Sequence, residues 1–318
     1  MAVYNSLIDR GDASALMPEE YAKQIIKNVP QRSVVMQLAR QLPNMNRAQQ
    51  RLPILDTLLE AYFVAPTDTG KKQTGKVSWT NKYIHAEELA VIVPIPENVL
   101  ADAEYDIFGE IRPLIEEAFG RAFDRAVFFG TTAPDSWPTN ILEAATSAGN
   151  VVTAGGVDVD LYDDLLGDDG MLAKVETSGF DITGFVAPLS MRGKLRGVRT
   201  GEGVPIFVSS MQNGPNYMLD DRPILFPTNG SMDADQALMF GGDWSQLVYS
   251  IRQDITYKIL TESVITDGNG VILHNLAQED KIALRAVMRL GWEVPNPINA
   301  VKSVEAERYP FAAYLPKA

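Results

Sequence analysis

The chain has no cysteine and only two histidines, His85 and His274. The first absence removes disulfides, thiolate metal sites, iron–sulfur clusters and cysteine nucleophiles together. The second takes away the residue on which most hydrolytic and zinc chemistry rests. Positive charge is also scarce. Lys and Arg number 28 against 41 Asp and Glu, leaving a net charge of −13 and a pI near 4.7. That is the wrong sign for a protein that wraps nucleic acid. Long apolar runs are missing too. Leu89 to Pro96, the longest candidate, is interrupted by Pro94, and a membrane span needs ~18–20 residues. The first residues, MAVYNSLIDRGDASALMPEEY, lack a basic region followed by an apolar one, so no secretory leader is expected and the chain reads as soluble. What remains is ordinary globular material. The 318 residues are 46% hydrophobic and 22% charged, near the averages of ~45–50% and ~25%. The length allows roughly two domains of about 150 residues, or one large irregular one.

Residues 1–17 show no clear period and read as a loose arm. Pro18 to Leu42 reads as two short helices meeting near Pro30. Pro18, Glu19 and Glu20 suit a helix start, and Ile25, Ile26, Val29, Val34, Val35, Leu38 and Leu42 form the apolar stripe. Residues 50–96 read as a long two-stranded hairpin. One arm is QQRLPILDTLLEAYFVAP, the tip is TDTGKKQTGK, and the return arm VSWTNKYIHAEELAVIVPIP is rich in strand formers. The tip is long for a hairpin, where 2–5 residues is usual. The segment 97–129 is the strongest helix, with Ile107, Ile111, Leu114, Ile115, Phe119 and Val127 at helical spacing. Glu104, Asp106 and Glu110 sit early and Arg121 and Arg125 late, which complements the helix dipole. Pro113 is expected to kink the helix or open its second part, and Gly130 to end it. Residues 131–247 mix short strands and helices, with an acidic helical stretch from Asp158 to Val175 broken at Gly167 and Gly170. Strands are expected at FDITGFVAP, VPIFVSS and RPILFP, and a basic helix at SMRGKLRGVRT. Residues 248–304 are strand-rich (LVYSIRQDITYKI, KIALRAVMRLGWEV, NAVKSV). The tail 305–318, with Pro310 and Pro316, is expected to be poorly structured. No internal repeat is visible.

Chemical motifs are few. Gly70 to Lys76 fits the GxxxxGK spacing of a phosphate-cradling loop. The next residue is Val77 where magnesium would want a hydroxyl, and the following sequence reads as strand where a helix N-terminus is needed. The acidic stretch from Asp158 to Asp169 departs from the calcium-loop pattern at Asp163, where glycine belongs, and reads as a solvated helix face. His85-Ala-Glu echoes a deaminase signature whose cysteines are absent. His274 has no second ligand at metal spacing, no GxSxG occurs, and Asp243 after Gly241-Gly242 reads as a turn. No catalytic, metal or cofactor residues are therefore expected. Lys71, Lys72 and Lys76 crowd three ammonium groups into the hairpin tip. In so acidic a protein, carboxylates on an identical neighbour are the natural partners.

The order of these elements carries a resemblance. An arm, a long hairpin with a basic tip, and a long helix ending Asp124-Arg-Ala-Val-Phe-Phe-Gly130 follow one another. Then come Gly184-Phe-Val-Ala-Pro188 with a short helix and Gly203-Val-Pro-Ile206, Gly241-Gly-Asp-Trp244 with Ile251-Arg-Gln-Asp-Ile255, and Gln278 to Arg289 with Gly291-Trp292 and Pro297 to Val304. Together they resemble the tailed-bacteriophage major capsid proteins of the Hong Kong 97 type, over nearly the whole chain. The resemblance implies an α+β fold with residues 1–49 as N-terminal arm, 50–96 as extended hairpin loop, and 97–130 as spine helix of a peripheral domain. Residues 131–247 would form an axial domain, 248–304 the late strands of the peripheral domain, and 305–318 a C-terminal tail. It further implies a structural, non-enzymatic subunit without cofactors that assembles in the host cytoplasm into the icosahedral shell of the virion. Its partners would be copies of itself in hexamers and pentamers, a portal, and separate scaffolding or decoration proteins. Double-stranded DNA would be enclosed without sequence-specific binding, and no membrane is involved. Assembly contacts are expected at Lys71, Lys72 and Lys76 on the tip, and at Arg121, Arg125, Glu19 and Glu20 on the spine helix and arm. Some relatives cross-link a hairpin lysine to an asparagine of another subunit. The tip lysines match by position only, and cross-linking is not expected here. Some relatives also carry a fused scaffolding segment before the arm, and Met1 reads as an unprocessed start. An encapsulin-like compartment shell is the alternative within the same fold. A nucleotide-hydrolysing enzyme using Gly70 to Lys76, and a small-ligand or receptor-binding module, are the alternatives outside it.

Overall fold

A computed structural model describes residues 32–63, 74–102, 106–155, 160–198 and 217–317. The chain is organised around helix α3, Ile107–Phe129. Asp106 caps its start by accepting from the Gly109 N–H at 3.0 Å, satisfying a donor the first turn would leave free. Gly130 ends it in the left-handed conformation (φ 68°), its N–H bonded to Ala126 O. Pro113 lies inside the helix, which continues through it at the loss of one backbone donor. A shorter helix, α2 (Glu97–Asp102), precedes it.

The buried face of α3 (Ile115, Phe119, Phe123, Val127) packs on a four-stranded sheet. Its long strands are β10 (Val248–Leu260) and β13 (Lys281–Glu293), paired antiparallel, with β4 (Glu87–Pro96) on the far side of β13. Alternation along β13 decides its faces. Leu284, Ala286, Met288 and Leu290 share the core with α3, so Arg285, Val287 and Arg289 face the other way. Pro94 and Pro96 are tolerated because β4 is an edge strand. The opposite edge is β1 (Arg40–Gln41), parallel to β10.

A six-stranded sheet forms a second layer in the order β5 (Val151–Thr153), β14 (Phe311–Leu315), β9 (Met239–Gly242), β6 (Gly184–Val186), β8 (Arg222–Leu225), β7 (Met218–Leu219). One face is covered by α5 (Leu161–Leu166), α6 (Met171–Thr177) and α7 (Met191–Gly197), through Leu165, Met171, Val175, Met191 and Leu195. The other meets α4 (Ile141–Ser147) and the end of α3. There Phe128 stacks on Phe240 at 5.0 Å, and Trp244 meets Phe311 edge-on at 5.1 Å. Gly242 is required at this crossing, since a Cβ would stand 2.4 Å from the Phe311 ring. One hydrophobic core thus runs from the four-stranded sheet into the six-stranded one.

Several expectations need correction. The helical stripe expected to reach Leu42 stops at Leu38. Ala39 is extended, Arg40 N–H bonds Leu247 O, and Leu42 N–H bonds Tyr249 O, so sheet pairing overrides the helical period. The hairpin proper is β2 (Gln49–Leu55) with β3 (Trp79–His85). Residues 87–96 leave it after Ala86 and join the four-stranded sheet as β4. NAVKSV is no strand. The Asn299 side chain accepts from the N–H groups of Val301 and Lys302, a local alternative to a ladder. The tail is not loose: Phe311–Leu315 is β14, buried between β5 and β9. Pro310 and Pro316 bracket this short strand without entering it. VPIFVSS and the helix expected over 18–31 lie outside the described residues.

Candidate assembly surfaces

The hairpin leaves the body at a tight crossing. Trp137 Nε1 donates to His85 O at 3.1 Å, and Ala86 N–H bonds Ala48 O at 2.8 Å. A Cβ on Gly291 would stand 2.1 Å from His85 O, so only glycine lets β3 pass over β13 there. Ile84, Met45 and Val248 close this corner as a small core of their own. Beyond it the register runs from Gln49 opposite His85 to Leu55 opposite Trp79. Among its exposed residues, most of them polar, the hairpin carries several large apolar side chains. Leu59 is 64% exposed, Trp79 67%, and the Phe63 side chain stands wholly clear. Isolated exposed apolar residues are common; several large ones along one hairpin mark an interaction surface.

Of the residues expected at the tip, Lys76 is exposed; Lys71 and Lys72 lie outside the described residues, as do Glu19 and Glu20. Residues 74–78 have no regular structure and lead into β3. The helix that a phosphate-cradling loop needs after Lys76 is therefore replaced by a strand. Arg121 is exposed on α3. Arg125 donates through Nε to Gly230 O at 3.0 Å, which ties it to its own chain. Asp160 caps α5, and Asp164 is buried, accepting from Tyr314 OH at 2.8 Å. Two of the acidic run's carboxylates thus have structural work, while Asp163, Asp168 and Asp169 are exposed. His274 sits beside Glu279 and Lys281, and Asp243 caps a turn through Ser245. Among the described residues no group of three or more His, Cys, Asp or Glu is placed to hold a metal. No helix of the described residues is long and apolar enough to cross a membrane.

Two buried polar joints escaped the sequence reading. The first is Asp124, fully buried on α3. It accepts from Ser33 Oγ and from the N–H groups of Val34 at 2.9 Å and Val35 at 3.1 Å. Helix α1 (Val34–Leu38) is thereby capped by a carboxylate from another helix. Gly120 allows the approach: a Cβ there would stand 2.8 Å from Ser33 N. Burial pushes the Asp124 carboxyl up to about 6, against these hydrogen bonds, which lower it. An acid among Phe119, Phe123, Val127 and Phe128 was the available sequence signal.

The second joint lies under the hairpin. Lys82 pairs with Glu305 at 2.8 Å and donates to Val294 O at 3.3 Å. Nearby Glu293 is pushed up to about 7 by burial, an effect partly offset by Lys82 and the Val294 N–H. The buried Arg308 guanidinium is satisfied by carbonyls of Asn296, Pro297 and Ser303. Lys82, Glu293, Val294, Asn296, Glu305 and Arg308 line a cavity of about 320 Å³. The hairpin base is thus fastened to the segment leading into β14.

These features describe a body whose main core joins both sheets and a hairpin that carries large exposed apolar side chains. Comparison with known proteins places it. A solved structure from Microbacterium phage Oxtober96 superposes with a TM-score of 0.83 at 34% identity, covering 98% of this chain and 100% of that one. One from Mycobacterium phage Bobi gives 0.81 at 31% identity, covering 98% and 100%. The major capsid protein of Staphylococcus phage 80alpha is 24% identical over 294 residues, 91% of this chain and 85% of that protein. The fold is the Hong Kong 97-like capsid fold, α+β with mixed sheets, and the class is that of viral shell proteins. The phage capsid family matches residues 13–305, and the chain belongs to that family.

Proposed function

We propose that this chain is the major capsid protein of a tailed bacteriophage, the repeated subunit of an icosahedral shell around double-stranded DNA. The observation that carries the reading is the family match over residues 13–305, joined to 34% identity across 98% of the chain with a phage structure. In this reading, residues 1–49 are the N-terminal arm, β2–β3 the extended hairpin and α3 the spine helix. The four-stranded sheet with α3 is the peripheral domain. The six-stranded sheet is the axial domain, completed by β14 from the C-terminus. Copies meet in hexamers and pentamers, with a portal at one vertex and separate scaffolding or decoration proteins as further partners. Assembly takes place in the host cytoplasm. The net charge of −13 suits a container, since phosphate contacts that hold DNA by attraction would oppose dense packing and release. Contacts between copies involve the tip lysines Lys71, Lys72 and Lys76, Arg121 on the spine helix, and Glu19 and Glu20 on the arm. Arg125 is a weaker candidate because its own chain holds it.

An encapsulin-like compartment has the same fold and differs in contents. Nuclease-treated particles purified from producing cells decide between them. Genome-length protected DNA is the expected finding; particles filled with enzyme and free of DNA would overturn it. A nucleotide-hydrolysing enzyme is tested by ATP and GTP binding. The expected result is none, for the wild-type chain and Lys76→Ala alike.

A further inference from the structure

The cavity under the hairpin base holds an acid without a cation and an acceptor without a donor. Glu293 ends β13 and is 8% exposed. One of its oxygens accepts from the Val294 N–H at 3.1 Å. Among the described residues no cation stands within ion-pair distance of it. Lys82 lines the same cavity, but its ammonium is held by Glu305 at 2.8 Å and by Val294 O. Arg308 cannot stand in, because its guanidinium is spent on the carbonyls of Asn296, Pro297 and Ser303. Tyr309 is held un-ionised, first by its burial and then by the Glu293 charge. Helix α4 closes the cavity with Ala144, Ser147 and Ala148, none of them titratable. In the strand row beyond Glu293 come Val248 and then the exposed Arg40, and His85 on β3 lies beside Gln49. The acceptor is Asn296 Oδ1, buried and unpartnered among the described residues. The amide nitrogen of the same side chain donates to Arg308 O at 2.9 Å and to Glu305 O at 3.4 Å. A neutral carboxyl carries the one O–H donor that Asn296 Oδ1 lacks.

We propose that this cavity is a proton-operated latch, within one copy of the chain, between the hairpin base and the segment leading into β14. With its proton on, Glu293 donates to Asn296 Oδ1, and Lys82 is left to Glu305. Strand β3 is then tied to residues 304–308, which Asn296 holds from the other side. Burial places the Glu293 carboxyl at about 7, so the proton leaves as pH rises past neutrality. A carboxylate has no hydrogen to give, and Asn296 Oδ1 then faces a second acceptor. Charge also enters the cavity. Lys82 favours the ionised form of Glu293 and Glu305 opposes it, so the carboxylate draws Lys82 inward and pushes Glu305 away. Lys82 exchanges Glu305 for Glu293, and the hairpin base lets go of the β14 lead-in. The sign is that of an acid raised on folding: the closed latch is favoured below the folded midpoint and lost above it. An exposed Lys–Glu pair is worth little alone, so the buried acid decides the outcome.

Hydrogen exchange of the full, unassembled chain tests the latch at about pH 6 and about pH 8.5, on either side of the Glu293 midpoint. The amides of Glu307 and Arg308, bonded to Val304 O and Glu305 O, report on the lead-in. After correction for the intrinsic rate, they should lose at least about fivefold protection at the higher pH. Glu293→Gln keeps a donor towards Asn296 at every pH and should stay protected at both. Lys82→Met should be poorly protected at both. Circular dichroism checks folding, and a carbon NMR titration of the wild-type chain reads the Glu293 carboxyl without any substitution. Equal wild-type protection at the two pH values, a Glu293→Gln chain that keeps the wild-type pH dependence, or a Glu293 midpoint in the ordinary carboxylate range would each overturn the latch. None of these results bears on whether the chain builds shells.

Discussion

Replacing Asp124 should reveal what holds the arm's last helix on the body. The carboxylate gathers three donors, Ser33 Oγ and the N–H groups of Val34 and Val35, in a site closed to water. Hydrogen bonds to a charged group contribute about 1.5–3 kcal/mol each, and a buried donor left without a partner costs about 1–3 kcal/mol. Against this stands the cost of burying the charge. A carboxyl raised from 3.8 to about 6 corresponds to about 3 kcal/mol at neutral pH, at ~1.4 kcal/mol per unit. Asp124→Ala removes both effects. That shift already nets burial against the bonds, so the loss is governed by the three donors left without a partner, less the relieved charge, and should be about 2–4 kcal/mol. The pH dependence has a definite sign. The folded-state value lies above the unfolded one, so this group's contribution is fully present below about 3.8 and is lost as pH rises through about 6. Glu293, raised to about 7 from 4.5, acts in the same direction. The unassembled wild-type chain should therefore gain stability on going from pH 7.5 to 5, and Asp124→Asn should flatten that slope without abolishing it. Urea unfolding followed by fluorescence of the buried Trp137, Trp244 and Trp292 measures both effects. An Asp124→Ala chain within about 0.5 kcal/mol of wild type, the range of ordinary surface changes, or a slope that Asp124→Asn leaves intact, would refute the reasoning.

Gly291→Ala should displace the hairpin base, because its methyl would meet His85 O at 2.1 Å. A loss of about 1–3 kcal/mol is expected for such overpacking, together with fewer particles; a wild-type melt would count against the crossing. Ending the chain at Pro310 removes β14 from between β5 and β9 in the six-stranded sheet. The truncated protein should lose cooperative unfolding and its near-ultraviolet dichroism; retention of both would return the tail to a loose appendage. Glu279, held down at about 2 chiefly by its hydrogen bond with Lys281, should return towards the ordinary carboxylate range in Lys281→Ala. NMR titration reads this directly, and an unmoved midpoint would exclude Lys281 as the cause.

The parts of the fold legible in the sequence were those whose local pattern agrees with their tertiary role. Helix α3 combines an apolar stripe, an Asp106 cap and a Gly130 stop, and α5 and α6 divide at Gly167 and Gly170 as the glycines suggest. The hairpin was visible from its strand-forming arms, but its lower limit was not. The return arm is one run of strand formers, and only the crossing at Gly291, more than 200 residues later, divides it at Ala86. Strand β14 was missed because FAAYL is short, has two alanines among its five residues and is bracketed by prolines. Its place is set by burial against β5 and β9, which no local pattern records. Clustered lysines are visible in the sequence, whereas Lys258 and Arg285 lie 27 positions apart and become neighbours only through strand register.

Electron microscopy of the purified chain tests the central claim most directly. The account predicts closed icosahedral shells built from many copies of the chain. Discrete monomers under every condition of salt and pH would contradict it.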